Sequence, residues 1–484
     1  LKVVTGSADA WPDQHVVDVR FEVAAGPKSL FGGIRIEGLE GVPAELVARR
    51  VTFEAGDPFD PKDLAETRAA LFGLQVFSMV NVTPDLSAPD SATVPILIEL
   101  RGTKTRRLKL GPGIEVEAGK AAVYAAAEWQ DHNLFGRLWN FEQSVQAGAA
   151  GVLAQKRLWD GFDLDQLTIA PIVNAKTSLM IPDVPGPDWA LELDARVQYD
   201  IEPGYRYFSP EIAPAIAWTH WDHLKVSGGY RVKFFDYLDF TIDVQDIADS
   251  PLGLDLTDPF LLSMLEQHVI WDGRDNPIDP RRGWYASLNL AEAGGPVFGN
   301  FNFFRAAGEV RAYREVPRLL GWNPKLVVAA RVGGGGIAPY GTGDKASVPY
   351  AERLHLGGGT SVRGWGANRL GPRMVVTSLD GSGDEVVPTG GLLDVFGNLE
   401  LRKLVGLGIS VAAFTDVGQV WSRPKDLSFD TLQWTVGGGL RYATAIGPIR
   451  ADIGVRLGPD HNQSAAEQTG QPRWTLHFGL AEAF

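Results

Sequence analysis

The chain has 484 residues, with 56 Gly, 31 Pro, 10% aromatic residues, no Cys and a formal net charge of -14. This length exceeds the roughly 100–200 residues of one ordinary domain, so one very large domain or several smaller ones are present. Without Cys there is neither a disulfide framework nor a Cys-based zinc site, and without a basic stripe the acidic balance excludes a nucleic-acid partner.

Mean hydropathy is -0.05. No apolar run reaches the roughly 18 residues of a helical span. Strands that alternate lipid-facing apolar with lumen-facing polar residues also average near zero, so a membrane β-barrel is not excluded. Short apolar runs between many turn residues favour an all-β architecture. The sequence starts at Leu1 without Met, basic region or apolar leader. The expectation is that any secretory signal has been removed or was not part of this chain.

In chain order, residues 1–27 read as the tail of a module. Val16, Asp18, Arg20 and Glu22 alternate with Val17, Val19, Phe21 and Val23, a period-2 strand ending at Gly26-Pro27. The stretch from residue 28 to 104 reads as a complete unit. It has a strand at Phe31–Ile36, a helix start marked by Pro43, and a second helix begun by Asp60-Pro61 and running to Leu71-Phe72. Strands follow at Val76–Val82 and Val94–Leu100. This order of strand, helix, helix, strand, strand is a small α+β module. It resembles a POTRA domain, the periplasmic module of outer-membrane assembly and secretion proteins. The resemblance makes residues 1–27 the remnant of a preceding POTRA.

From residue 105 to 484 strand signals take over. Leu432, Trp434, Val436, Leu440 and Tyr442 share one parity, as do Ile449, Ala451, Ile453, Val455 and Leu457. In the last segment Trp474, Leu476, Phe478 and Leu480 share one face, and Thr475, His477, Gly479 and Ala481 the other. Roughly 375 residues, at roughly 20–25 per strand and connection, give about 16 antiparallel strands, an even number as bacterial barrels have. The predicted fold is an all-β transmembrane barrel, closed on itself, preceded by the α+β module. A soluble sandwich or propeller is the alternative, but no blade-length repeat is visible.

Leu356-Gly357-Gly358-Gly359-Thr360-Ser361-Val362-Arg363-Gly364-Trp365 is the most informative stretch. A phosphate-cradling loop would need a Gly-Lys-Ser/Thr ending and a strand-to-helix setting, both missing; a plain surface loop is the bland alternative. Val362-Arg363-Gly364-Trp365 resembles the VRG-aromatic motif of loop six in the superfamily containing BamA, TamA and two-partner secretion transporters. The resemblance implies that a long loop, around residues 340–390, folds into the barrel. Its Arg363 would meet a lumen carboxylate, either Asp416 in Phe414-Thr415-Asp416-Val417-Gly418, which is similar to the family's F-x-D-x-G strand, or Glu400. A guanidinium fork takes a carboxylate bidentately, which Lys cannot do.

Within the superfamily the chain most resembles the TamA family, in Gly359–Gly364, Phe414–Gly418, Gly447-Pro448-Ile449 and Leu476–Leu480. It departs from the pattern in having Trp365 where Tyr or Phe is commoner, and it holds one POTRA and a remnant where TamA-like proteins have three. Trp271-Asp272-Gly273-Arg274-Asp275-Asn276-Pro277, followed by Pro280–Trp284, resembles another family landmark. On its own this is a salt-bridged turn rather than an acid/base pair, since neither His nor nucleophile accompanies it.

The resemblance implies a non-enzymatic factor without cofactor or metal, located in the bacterial outer membrane with its POTRA region in the periplasm. Its partners would be outer-membrane lipid, unfolded outer-membrane protein or autotransporter clients, and a TamB-like inner-membrane-anchored protein contacting the POTRA region. Clients would enter through a weak lateral seam between the first and last strands. On one side stand Leu108, Leu110 and Gly111-Pro112-Gly113, where Pro cannot donate to a ladder and Gly weakens pairing. On the other stand Trp474, Leu476, Phe478, Gly479 and Leu480, with Phe484 as the terminal assembly signal closing the strand. The alternatives are a two-partner-secretion-type pore passing an unfolded exoprotein through the lumen, a BamA-like general insertase, and a soluble scaffold.

Overall fold

The computed structural model describes residues 2–11, 16–24, 28–39, 41–87, 92–117, 120–153, 167–186, 188–202, 204–220, 223–240, 255–294, 298–317, 325–343, 345–377, 384–444, 447–460, 473–480 and 483–484. Gly26-Pro27 and Ala481 lie outside the described residues. The chain divides into two units, one of Leu1–Arg107 with Gln130–Phe141 and one of Leu108–Trp129 with Glu142–Phe484.

In the first unit β1 (Lys2–Trp11) and β2 (Val16–Ala24) form an antiparallel hairpin. Next come β3 (Leu30–Glu37), α1 (Ala44–Ala48), α2 (Pro61–Gly73), β4 (Phe77–Pro84) and β5 (Thr93–Gly102). The sheet order is β3-β5-β4, with β3 parallel and β4 antiparallel to β5. Asp60 caps α2 by accepting the Lys62 N–H at 2.9 Å, with Pro61 at the first turn, where its missing N–H costs nothing. Leu64 and Leu71 of α2 bury against Ile96 and Ile98, and Phe31 stacks on Phe53 at 3.9 Å. α1 starts directly after Pro43, which precedes it in extended conformation.

The second unit is dominated by a 16-stranded sheet. It begins with β6 (Arg106–Glu117), β7 (Lys120–Leu134), β8 (Trp139–Leu153), β9 (Leu167–Pro182), β10 (Trp189–Glu202) and β11 (Tyr205–His220). It continues through β12 (Leu224–Phe240), β13 (Phe260–Asp272), β14 (Gly283–Ala293), β15 (Phe303–Glu315) and β16 (Leu326–Pro339). A separate hairpin of β17 (Arg373–Thr377) and β18 (Asp384–Pro388) intervenes. The sheet resumes with β19 (Leu393–Gly406), β20 (Ile409–Trp421), β21 (Gln433–Thr444), β22 (Gly447–Arg456) and β23 (Trp474–Leu480). Strands are neighbours in chain order, except that β16 pairs directly with β19, so everything between them is an insertion.

On β19 and β21 the sheet carries buried charged and polar residues and exposed apolar ones, while an apolar cluster including Phe235, Phe260, Leu262 and Phe303 is buried on β12 to β15. On β19, Leu399 and Leu401 are exposed while Glu400 and Arg402 are buried; on β21, Trp434, Val436, Leu440 and Tyr442 are exposed while Thr435 and Arg441 are buried. A period-2 strand puts these sets on opposite faces. A charged face toward the interior and an apolar face outward is the arrangement that outer-membrane barrels require.

Three expectations need correction. Among the described residues no ladder joins β6 to β23, which stand at opposite ends of the strand order, so the sheet is not closed by main-chain pairing. Among the described residues β23 spans seven against twelve in β6. Second, β6 runs unbroken through Gly111-Pro112-Gly113. A strand at the end of the order has one side without a partner, where the missing Pro N–H breaks nothing, and Gly113 admits the Tyr124 ring of β7, which would lie 2.1 Å from any Cβ there. Third, Phe484 does not close the last strand, which ends at Leu480. Its ring is buried beside Tyr313 and Ala329, with Arg402 Cζ 5.5 Å from its centroid. This inner pocket removes from solvent a ring that an outward strand position would leave exposed.

Candidate functional site

The insertion between β16 and β19 folds onto the inner face. Val362, Arg363 and Trp365 are all buried, Arg363 with 0% exposure. The ladder between β19 and β20 sets Glu400 opposite Phe414 and Asn398 opposite Asp416. Both carboxylates therefore project inward two rungs apart, within reach of one guanidinium. Arg363 Nε and its backbone N–H donate to Asp416 Oδ2 at 2.8 and 3.0 Å, and Nη2 donates to Oδ1 at 2.9 Å. Nη1 donates to Glu400 Oε2, and the Phe414 ring centroid lies 3.4 Å from Arg363 Cζ. Burial alone would lower the guanidinium pKa, but the hydrogen bonds and charge of Asp416, followed by Glu400, lift it above its ordinary range.

A wider net surrounds this pair. Glu400 also accepts from Arg402 Nε at 2.8 Å and Arg441 Nη2 at 3.2 Å; Asp452 accepts from Arg441 and, at 3.0 Å, from Arg450 Nη1. The loop's carbonyls find donors on the same face. Gly359 O accepts from Arg450 at 2.7 Å, Thr360 O from Arg331 at 2.6 Å, Ser361 O from Asn398 at 2.6 Å and Gly364 O from Thr475 at 3.1 Å. Buried irregular backbone is tolerated only when it is satisfied in this way. Gly364 N–H donates to His477 Nε2 at 3.1 Å, so β23 itself grips the loop at two atoms of one residue.

Each residue of the motif has a steric or electronic reason. Gly364 holds φ +95°, which L side chains rarely adopt. Gly418 makes room for Val362, whose Cγ2 would lie 2.8 Å from any Cβ there. Val362 packs with Leu356, Leu370 and Val420. Trp365 lies between Arg456 and Arg373, at 4.5 and 5.3 Å from its ring, and Arg373 in turn pairs with Asp460. A large ring between two cations is a cation–π arrangement.

The insertion also meets β12 and β15 through a 3-10 turn at Tyr350–Glu352. Burial would raise the Glu352 carboxyl, but Lys233 and Arg305 more than offset it and hold the pKa below its usual range. His355 is buried, with its pKa pushed down to about 4, so it is neutral at ordinary pH.

The structure thus brings Arg363, Asp416 and Glu400 together. Of the seam residues, Leu108, Leu110, Leu476 and Phe478 are exposed, Trp474 is half-buried, and Gly479 leaves space for Arg450, whose Nε would lie 2.9 Å from a Cβ there. Leu480 ends β23. The landmark turn holds Arg274 on Asp272 at 2.7 Å, while Asp275 accepts the Arg281 and Arg282 N–H groups. Sequence reading missed Arg331, Asn398, Arg441, Arg450, Asp452 and His477. Their one signal is a polar residue on the parity opposite the apolar stripe. Among the described residues no group of His, Cys, Asp and Glu could hold a metal ion.

Residues 133–484 match the Omp85 superfamily domain. The chain belongs to the Omp85 superfamily. It is 24% identical over 477 residues to the outer membrane protein assembly factor BamA of Nitratidesulfovibrio vulgaris, covering 98% of this chain and 53% of that protein. This Omp85 chain therefore spans about half the length of that relative. A shorter stretch of 113 residues is 33% identical to a sorting and assembly machinery component 50 homolog of Xenopus tropicalis, 23% of this chain and 22% of that one. Among solved structures, BamA from Haemophilus ducreyi lacking POTRA domains 1–3 superposes with a TM-score of 0.66 at 15% identity, over 98% of this chain and 88% of that one. CdiB from Acinetobacter baumannii gives 0.57 at 13% identity, over 98% and 77%. At such identities these likenesses speak for the fold alone.

Proposed function

We propose that this chain is a TamA-like outer-membrane assembly factor that inserts or exports outer-membrane and autotransporter-type proteins through a seam between β6 and β23. Residues 28–104 would be its periplasmic POTRA domain and the contact for a TamB-like partner. The observation that carries the reading is the grip of Thr475 and His477 on Gly364, next to the buried Arg363. It links the inward-folded loop to one of the two end strands between which an incoming client strand would add. A strand without a partner offers main-chain donors and acceptors, so a client adds to it by β-augmentation, largely independent of its side chains. The likeness to proteins named as assembly factors supports the assembly part of the reading, and the motif pattern supports the TamA part.

The test uses the absence of native Cys. Cys pairs are scanned across residues 108–113 and 474–480; only pairs that approach closely form a disulfide. Oxidation of such a pair should abolish client insertion into vesicles while the barrel stays folded, and reduction should restore it. Undiminished insertion with the seam covalently shut would overturn the lateral reading and favour passage of an unfolded exoprotein through the lumen.

A further inference from the structure

The lock at Arg363 accounts for one end of the inward-folded insertion. It leaves unexplained a second buried charge, Glu352, held by strands in the middle of the sheet order. Glu352 Oε1 accepts from Lys233 Nζ of β12 at 2.8 Å, and Oε2 from Arg305 Nη1 of β15 at 3.2 Å. Arg305 Nη2 also donates to the Glu352 carbonyl at 2.9 Å, so side chain and backbone are held by one guanidinium. Two residues earlier, Tyr350 hydroxyl donates to Pro388 O at 2.6 Å and Tyr350 N–H donates to Asp255 O at 3.0 Å. Its ring meets Tyr205 edge-on at 5.9 Å within an aromatic cluster on the inner face.

We propose that Glu352 is a second anchor of the insertion, fixing its entrance to the β12–β15 wall while Arg363 fixes its turn to the β19–β23 wall. The insertion is then a strut between two walls, and each anchor can be released separately. A carboxylate buried between two cations has no water to fall back on, so removing its charge frees the turn that carries it. The inference concerns how the insertion is attached and holds whichever clients the barrel serves, so its test reads the insertion and not client transport.

Cleavage of the full chain in detergent by an arginine-specific protease, which ignores the lysine that Glu352→Lys introduces, separates the two anchors. Arg353 adjoins the first and is 5% exposed, whereas Arg369 follows the second. Cleavage in a folded protein follows the opening of the local segment. In Glu352→Lys, cleavage after Arg353 should accelerate by about tenfold or more while Arg369 keeps its wild-type rate, because local opening governs each site. The paired reversal Lys233→Glu with Glu352→Lys should return protection to Arg353, which a merely packing role for Glu352 would not do. Heat-modified gel mobility checks that each variant is folded; if the Lys variant is not, Glu352→Gln is read by the same criterion. Wild-type protection of Arg353 in the folded variant, exposure of both sites together, or failure of the paired reversal to restore protection would each overturn the proposal.

Discussion

A guanidinium with no exposed surface is stable only while its donors are taken, and Arg363 has Asp416, Glu400 and the face of Phe414 for that purpose. Deleting it strands the buried Asp416, while Glu400 keeps Arg402 and Arg441. Breaking a buried pair from one side costs about 3–5 kcal/mol. Arg363→Ala should therefore unfold at a clearly lower temperature, and Arg363→Lys should fall between, since an ammonium restores the charge but not the fork. An unchanged melting temperature for Arg363→Ala in heat-modified mobility would contradict the lock. At this scale the sequence was informative where a motif existed: Arg363, Asp416 and Glu400 could be named, because Val362–Trp365 and Phe414–Gly418 resemble the superfamily's loop-six and F-x-D-x-G motifs. Arg441, Arg450, Asp452 and His477 could not, because their partners lie on other strands and only the fold brings them together.

Elements place these residues, and their geometry can be tested without touching a charge. Gly454 on β22 lies where a Cβ would come 2.4 Å from Gly364 N and 2.7 Å from Arg363 C, both backbone atoms that cannot step aside. Gly454→Val should expel the turn from its seat and make the insertion around Arg369 sensitive to the arginine-specific protease, with every ion-pair partner still present. If that variant keeps the insertion protected, the close approach of β22 to the loop is wrong. Strand parity was readable because one apolar stripe repeats every second residue on β19 to β23. The hairpin β17–β18 was not, since its short runs carry no long alternation. Nor was the departure of Phe484 from the last strand. Its pocket is built by Tyr313 and Ala329, more than 150 positions away in sequence, and a terminal aromatic reads as part of the strand it follows.

For the molecule as a whole, the decisive property is that its large sheet is inside out, with charge buried and Leu, Val, Ile and Trp exposed. Water would penalise that arrangement and hydrocarbon rewards it, so the cost of a charge on the outer face should depend on depth along the strand. Leu399 sits mid-strand on β19, 46% exposed and beside the inward Glu400, while Leu407 lies in the turn after it, 96% exposed. A basic residue on the lipid face costs about 2–4 kcal/mol at the membrane midplane and about 0–1 near its edge. In denaturant titrations of vesicle-inserted protein, Leu399→Arg should therefore lower stability by about 2–4 kcal/mol and Leu407→Arg by no more than about 1. In an aqueous setting both positions are exposed and neither substitution would cost much, the more exposed Leu407 least of all. Equal and small effects at the two sites would mean that the apolar face meets something other than the membrane interior.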